Sequence, residues 1–239
     1  MIGIINTDIA VYLFIVMQFI LGDADISVKK VLCAFIGWEA FGNSNWYIFA
    51  ILCMYISTFI SFVVFKNNKY LALAFNLLLI GVYVFIMHEV KDIWWYDTVL
   101  CYFAGMIFYV AQPLCEKIVR SGKFVYWVLL AAVLVLLLFG IKFRMNMYFL
   151  FIKHILFAGA VVLITMKFGI HNKILNFCGK HLFSIYILQR LPMIVFSKLG
   201  IDNKYIFVIL SFAATILLCI GFDKVMSIID GRLFKKKTA

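Results

Sequence analysis

The chain has 239 residues, 66% of them hydrophobic and 14% charged, with a mean hydropathy of +1.08 and a formal net charge of +11. Soluble domains carry charge on about a quarter of their residues, so this composition excludes a water-soluble globule and leaves lipid to cover the apolar surface. The basic excess does not point to nucleic acid: the lysines and arginines fall between apolar runs, where they set topology and meet anionic head groups.

Transmembrane strands would read as alternating segments of about ten residues. This chain instead carries unbroken apolar runs of about 17–20 residues, the length a helix needs to cross hydrocarbon. Only Pro113 and Pro192 interrupt them. The predicted class is therefore all-α, a polytopic transmembrane bundle of about eight crossings forming one domain over residues 1–239. The first crossing covers about 4–22 and ends in the polar turn Gly22-Asp23-Ala24-Asp25, which lacks the rest of a calcium loop. An apolar stretch at 31–42 is too short to span and reads as a helix extension or an interfacial segment. The next five crossings cover about 46–65, 70–88, 94–112, 124–141 and 147–166, with Trp94, Trp95, Tyr96, Tyr126 and Trp127 as an interfacial aromatic belt. Segment 171–180 reads as a short amphipathic surface helix that feeds a seventh crossing at 181–199. The eighth covers about 205–222, and 223–239 follows as a basic tail with its apolar residues towards lipid.

Loops after even-numbered crossings, with the tail, hold 13 basic residues, against 7 after odd-numbered ones. The positive-inside rule then puts both termini in the cytoplasm. The six cysteines lie mostly inside apolar runs with no metal-ligand spacing and read as small buried residues, so no metal is expected.

Charged groups within the membrane are costly and each needs a reason. Lys153 and His154 lie in the sixth crossing; Lys153 has a snorkelling reading, and His154 reads either as a base or as a packing histidine. Gln189 and Arg190 lie mid-way along the seventh, just before Pro192, where Arg190 reads as lining a polar cavity or binding an anionic group, or as a structural hydrogen-bond donor. His88 and Glu89 end the third crossing and form, with Lys91 and Asp92, either a solvated loop or an acid/base pair for acyl transfer to a hydroxyl. The Rossmann glycine pattern, the P-loop, the nucleophile elbow and HExxH are all missing.

Three stretches carry a resemblance. In 177–192, Gly179, Ser184, Ile185, Tyr186 and Leu188 match a signature that commonly reads Gly-x-x-Ser-x-x-Ile-Tyr-Leu-x-His, with Gln189 where His often stands. In 42–55, Trp46 opens a helix and Tyr55 follows nine residues on, with Ile51 where an acidic residue is common. Tyr102-Phe-Ala-Gly105 is like a Phe-x-x-Gly helix. In this order the chain resembles the acyltransferase-3 family of integral membrane O-acyltransferases.

The resemblance implies transfer of an acyl group, most often acetyl from acetyl-CoA, to a hydroxyl of a surface polysaccharide or lipid-linked sugar, in a bacterial inner membrane. It implies that Trp46, Tyr55, Ser184, Tyr186, Gln189 and Arg190 line the site, by stacking, hydrogen bonding and, for Arg190, charge stabilisation. Family members have ten crossings, with a catalytic His in the first. That element is not found here, so the chain reads as the last eight crossings, with missing helices or a partner subunit expected. His88, Glu89 and His154 remain as catalytic candidates, while His171 and His181 read as interfacial. Two other classes stay open: a small transporter or flippase for a lipid-linked sugar, which paired inverted repeats or Gly/Pro-broken helices would mark and of which the sequence shows none, and a non-catalytic membrane scaffold.

Overall fold

The computed structural model describes residues 2–22, 27–121, 123–142, 147–170 and 172–233. His171, Arg144, the turn residues Asp23 to Asp25 and the tail lysines 235–237 lie outside these. Among the described residues every regular element is helical. Six helices are long and apolar enough to cross a membrane, so the chain is an all-α, multi-pass membrane protein. Large side chains stay exposed along them, as on lipid-facing surfaces: Phe124 is 80% exposed, Tyr109 76% and Leu217 72%. The chain divides into two compact units, residues 1–49 with 171–239 and residues 50–170.

The first unit begins with α1 (Ile2–Ile20) and α2 (Val28–Phe35). Ser27 caps α2 by accepting a hydrogen bond from the Lys30 amide at 3.2 Å. Ala34 of this helix is buried while Val28 and Leu32 stay exposed. Val11, Phe14 and Met17 of α1 pack with Ala34 and Phe41 into the core of this unit, backed by Leu191, Ile194 and Val195. The unit also holds the first turn of α3 (Asn45–Val64), then α8 (Lys173–Lys180), α9 (Leu182–Leu188), α10 (Arg190–Lys198) and α11 (Lys204–Leu233). Helix α11 packs on both α9 and α10, and α9 also touches α1. The surface helix expected at 171–180 is α8: Asn172 caps it by accepting from the Leu175 amide at 2.8 Å, and none of its side chains is buried.

Two expectations fail here. The seventh crossing is not one helix but α9 and α10. Pro192 has no N–H to donate to the Leu188 carbonyl, so the ladder breaks there, although Gln189 keeps helical angles of φ −56 and ψ −30. The eighth crossing and the tail are not separate either: α11 runs on as one helix to Leu233.

The second unit holds the rest of α3, α4 (Lys69–Val90), a 3-10 turn at Ile93–Trp95, α5 (Val99–Ser121), α6 (Lys123–Lys142) and α7 (Met147–Phe168). Helix α7 packs on α5 and α6. Interhelical polar contacts tie α3, α4 and α5 together, as small polar side chains do where the hydrophobic effect cannot drive association. The fully buried Asn76 donates to Ser57 Oγ at 3.2 Å and Thr58 Oγ1 at 3.3 Å, and Thr58 pairs with the Tyr102 hydroxyl at 3.0 Å.

The aromatic belt holds only in part: Trp94 and Trp127 are exposed, but Trp95, Tyr96 and Tyr126 are buried. Their backbone and ring faces find inside partners. The Tyr83 hydroxyl donates to the Trp95 carbonyl at 3.0 Å, and the Tyr126 hydroxyl to the Leu163 carbonyl at 3.2 Å.

Candidate functional site

In the first unit, three side chains, from the α8–α9 junction, α9 and α11, converge on the carboxylate of Asp223. His181 is the hinge residue between α8 and α9, at φ −104 and ψ 10. Its amide closes α8 onto the Phe177 carbonyl at 3.1 Å, and its carbonyl accepts from the Ile185 amide of α9 at 2.9 Å. The backbone is therefore fixed on both sides, and the ring lies against the Phe177 ring, with centroids 4.5 Å apart. Ser184, three residues on, shares that face of the first turn of α9. Opposite them, α11 presents Cys219 and Asp223, four residues apart and hence one turn apart on one face.

Asp223 is the centre. Its Oδ2 accepts from His181 Nδ1, and its Oδ1 accepts from the Ser184 hydroxyl. Cys219 Sγ lies 3.7 Å from Asp223 Oδ2 and 3.8 Å from the His181 carbonyl. Ser184 and Cys219 are buried, while the side chains of His181 and Asp223 keep 25% and 29% of their exposure. Because Nδ1 donates to the carboxylate, Nε2 is the acceptor nitrogen of the neutral ring. Asp223 lies roughly 28 Å along α11 from Lys204, nearly the about 30 Å of a hydrocarbon layer. A carboxylate there sits close to a membrane face, where its charge costs least. Chemically the cluster offers an oriented imidazole base, and it also offers nitrogen, sulfur and oxygen donors of the kinds that bind metal.

The remaining candidates in this unit lie nearby in sequence. Tyr186 packs on Tyr47, with ring centroids 4.7 Å apart, and Tyr47 meets Trp46 edge-on at 6.0 Å. The Tyr186 hydroxyl is buried beside Ser44 but not at hydrogen-bond geometry. The segment that leads into Trp46 is locked by buried amides. Asn43 donates to Asn45 Oδ1 at 2.7 Å, and Asn45 donates to the Ala34 carbonyl at 2.9 Å and the Glu39 carbonyl at 3.1 Å. Gln189 is half-buried, and Arg190 is exposed at the start of α10.

The other candidates belong to the second unit. Tyr55 is 58% exposed, with its ring 6.1 Å from that of Tyr102. His154 Nδ1 donates to the Asp97 carbonyl at 3.1 Å, the satisfied state of a packing histidine, and Lys153 is half-buried. His88 Nδ1 and Glu89 Oε1 meet at 3.3 Å with both side chains more than half exposed, the geometry of a solvated pair.

Sequence reading therefore missed His181 as more than an interfacial residue, and Cys219 and Asp223 altogether. The i,i+3 spacing of His181 with Ser184 and the i,i+4 spacing of Cys219 with Asp223 were the available signals. Comparison with known proteins finds no matching family, no matching curated protein and no matching solved structure.

Proposed function

We propose that the chain is a membrane-embedded O-acyltransferase, with His181 as the proton acceptor and Asp223 as the group that orients it. The observation that carries this reading is the bonding of Ser184, a residue of the acyltransferase-3-like stretch, to the same carboxylate that holds the His181 ring. The donor is an acyl thioester, acetyl-CoA on the resemblance, and the acceptor is a hydroxyl of a surface polysaccharide or lipid-linked sugar. As the hydroxyl oxygen attacks the thioester carbonyl, its proton passes to His181 Nε2. The C–S bond then breaks, and the proton goes to the leaving thiolate. Asp223 stabilises the imidazolium in between, as a carboxylate does for a catalytic histidine elsewhere. The rings of Trp46, Tyr47 and Tyr186 supply flat faces for a sugar, and exposed Arg190 supplies positive charge for donor phosphates. The excess of basic residues in the loops after even-numbered crossings and in the tail favours cytoplasmic termini in a bacterial inner membrane, which brings the Asp223 end of α11 to the side where acetyl-CoA is found.

A second reading is favoured by one observation. The helical hydrogen bonding is interrupted where α9 meets α10, with Gln189 still at helical angles, and transporter sites are built at interrupted helices. On that reading the protein moves a lipid-linked sugar rather than modifying it. Membranes containing the full chain, given acetyl-CoA labelled in the acetyl group, separate the two. The enzyme reading expects label in alkali-labile esters on host glycan or lipid-linked sugar. Translocation of a lipid-linked sugar without labelled ester sinks the enzyme reading.

A further inference from the structure

We propose that His181, Cys219 and Asp223 form a binding site for one thiophilic divalent cation of the zinc type. The three residues offer Nδ1, Sγ and a carboxylate oxygen, and these atoms all lie within 4.8 Å of one another. Around tetrahedral zinc, bonds of about 2.0–2.3 Å put ligand atoms roughly 3.3–3.8 Å apart. Cys219 Sγ, 3.7 Å from Asp223 Oδ2, already stands at that spacing, while His181 Nδ1 and the carboxylate, in hydrogen-bond contact, part by side-chain rotation to admit the cation. Cys219 and Asp223, one turn apart on α11, form one side of the site, and His181 at the α8–α9 hinge forms the other. Ser184 does what an outer-shell group does at metal sites: it holds the second oxygen of Asp223 and fixes the plane of the carboxylate. The donor set selects the metal. Sulfur and imidazole disfavour calcium and magnesium, which take oxygen ligands, and favour zinc and its neighbours. The buried thiol closes the inner side, and the part-exposed His181 and Asp223 leave an entry path and a fourth position for water.

Binding has a chemical consequence. The cation takes the His181 Nδ1 lone pair, and the ring proton relocates to Nε2. The Cys219 thiol proton is released to solvent. No basic ring nitrogen is left, so a cation-loaded site is unable to accept a proton. Reversible inhibition of acyl transfer by zinc follows. That consequence rests on the acyltransferase reading, whereas the binding itself does not.

The test uses the purified full chain in lipid nanodiscs, stripped with a chelator and titrated with Co²⁺. The expected result is one Co²⁺ per chain, with a thiolate-to-cobalt charge-transfer band and the visible bands of tetrahedral cobalt, both bleached by Zn²⁺. Cys219→Ser removes the charge-transfer band, His181→Gln weakens binding at least about tenfold, and Cys53→Ser leaves both properties intact. Absence of a band at one equivalent overturns the proposal, and so does a band unchanged in Cys219→Ser. The visible bands of His181→Gln provide a second check on the site should the cysteine variant not fold. In membranes showing ester formation, Zn²⁺ lowers it and a chelator restores it. Cobalt binding without ester formation under any condition leaves the site standing and defeats the enzyme reading.

Discussion

Gly42 shows how a single residue holds the approach to Trp46. Its φ of +77 lies in the left-handed region, and an added Cβ would come within 2.8 Å of Ile194 Cδ1 and 3.3 Å of Gln18 Nε2. Left-handed backbone alone costs an L-residue about 1–2 kcal/mol, and displacing the packed Ile194 adds to that. Gly42→Ala is therefore expected to lower the unfolding midpoint in detergent, by about 1–3 kcal/mol in stability. Gly221→Ala, in the middle of α11 with nothing within 4 Å of the added methyl, is expected to be neutral or to stabilise by up to about 1 kcal/mol. Equal losses in the two variants would mean that the turn at Gly42 is not under this constraint. The same scale explains what the sequence withheld about the site. Cys219 reads as a packing residue because apolar neighbours surround it along the chain, and its relation to His181 exists only once α9 lies against α11. Asp223 reads as the first charge of a tail because it follows an apolar run of full membrane length.

At the scale of elements, the compositional signals located α1, α3, α4, α6 and α7 to within a few residues, since hydrocarbon thickness and loop charges fix both ends of a crossing; α5 (Val99–Ser121) starts and ends later than the run read at 94–112, and α11 continues well past 222 to Leu233. These signals failed where a single backbone group decides. Pro192 splits the seventh run into α9 and α10 by removing one donor, while Pro113 lies inside the continuous helix α5. A window average of hydropathy does not distinguish the two cases. Pro192→Ala returns an amide that can donate to the Leu188 carbonyl, because Gln189 between them is already helical. The expected outcome is a protected amide at position 192 in hydrogen exchange and one helix from Leu182 to Lys198. Rapid exchange at that amide would show that neighbouring packing, rather than the proline, imposes the break. The aromatic belt holds only in part for a related reason: an aromatic at a run end can turn inward where its polar atom finds an inside partner, as Tyr126 does in the Leu163 carbonyl.

At the scale of the whole molecule, six long apolar helices among the described residues establish a multi-pass membrane protein, and polar clusters form within each unit. The first unit contains the His181–Asp223 pair with Ser184 and Cys219; the second contains His154 on the Asp97 carbonyl and the exposed His88–Glu89 pair. The difference between them is the acceptor. A carboxylate stabilises the charge that an imidazole gains on taking a proton, whereas a backbone carbonyl does so far more weakly. On the proposed acyltransferase reading, His181 and not His154 takes the proton in acyl transfer. The most direct measurement is labelled acetyl transfer to glycan in membranes carrying equal amounts of the wild-type chain, His181→Gln and His154→Gln. Gln at 181 keeps a donor for Asp223 but offers no basic nitrogen, so the expected result is a loss of about 10²-fold or more, with His154→Gln within about threefold of wild type. Full activity in His181→Gln, or loss confined to His154→Gln, would contradict the account.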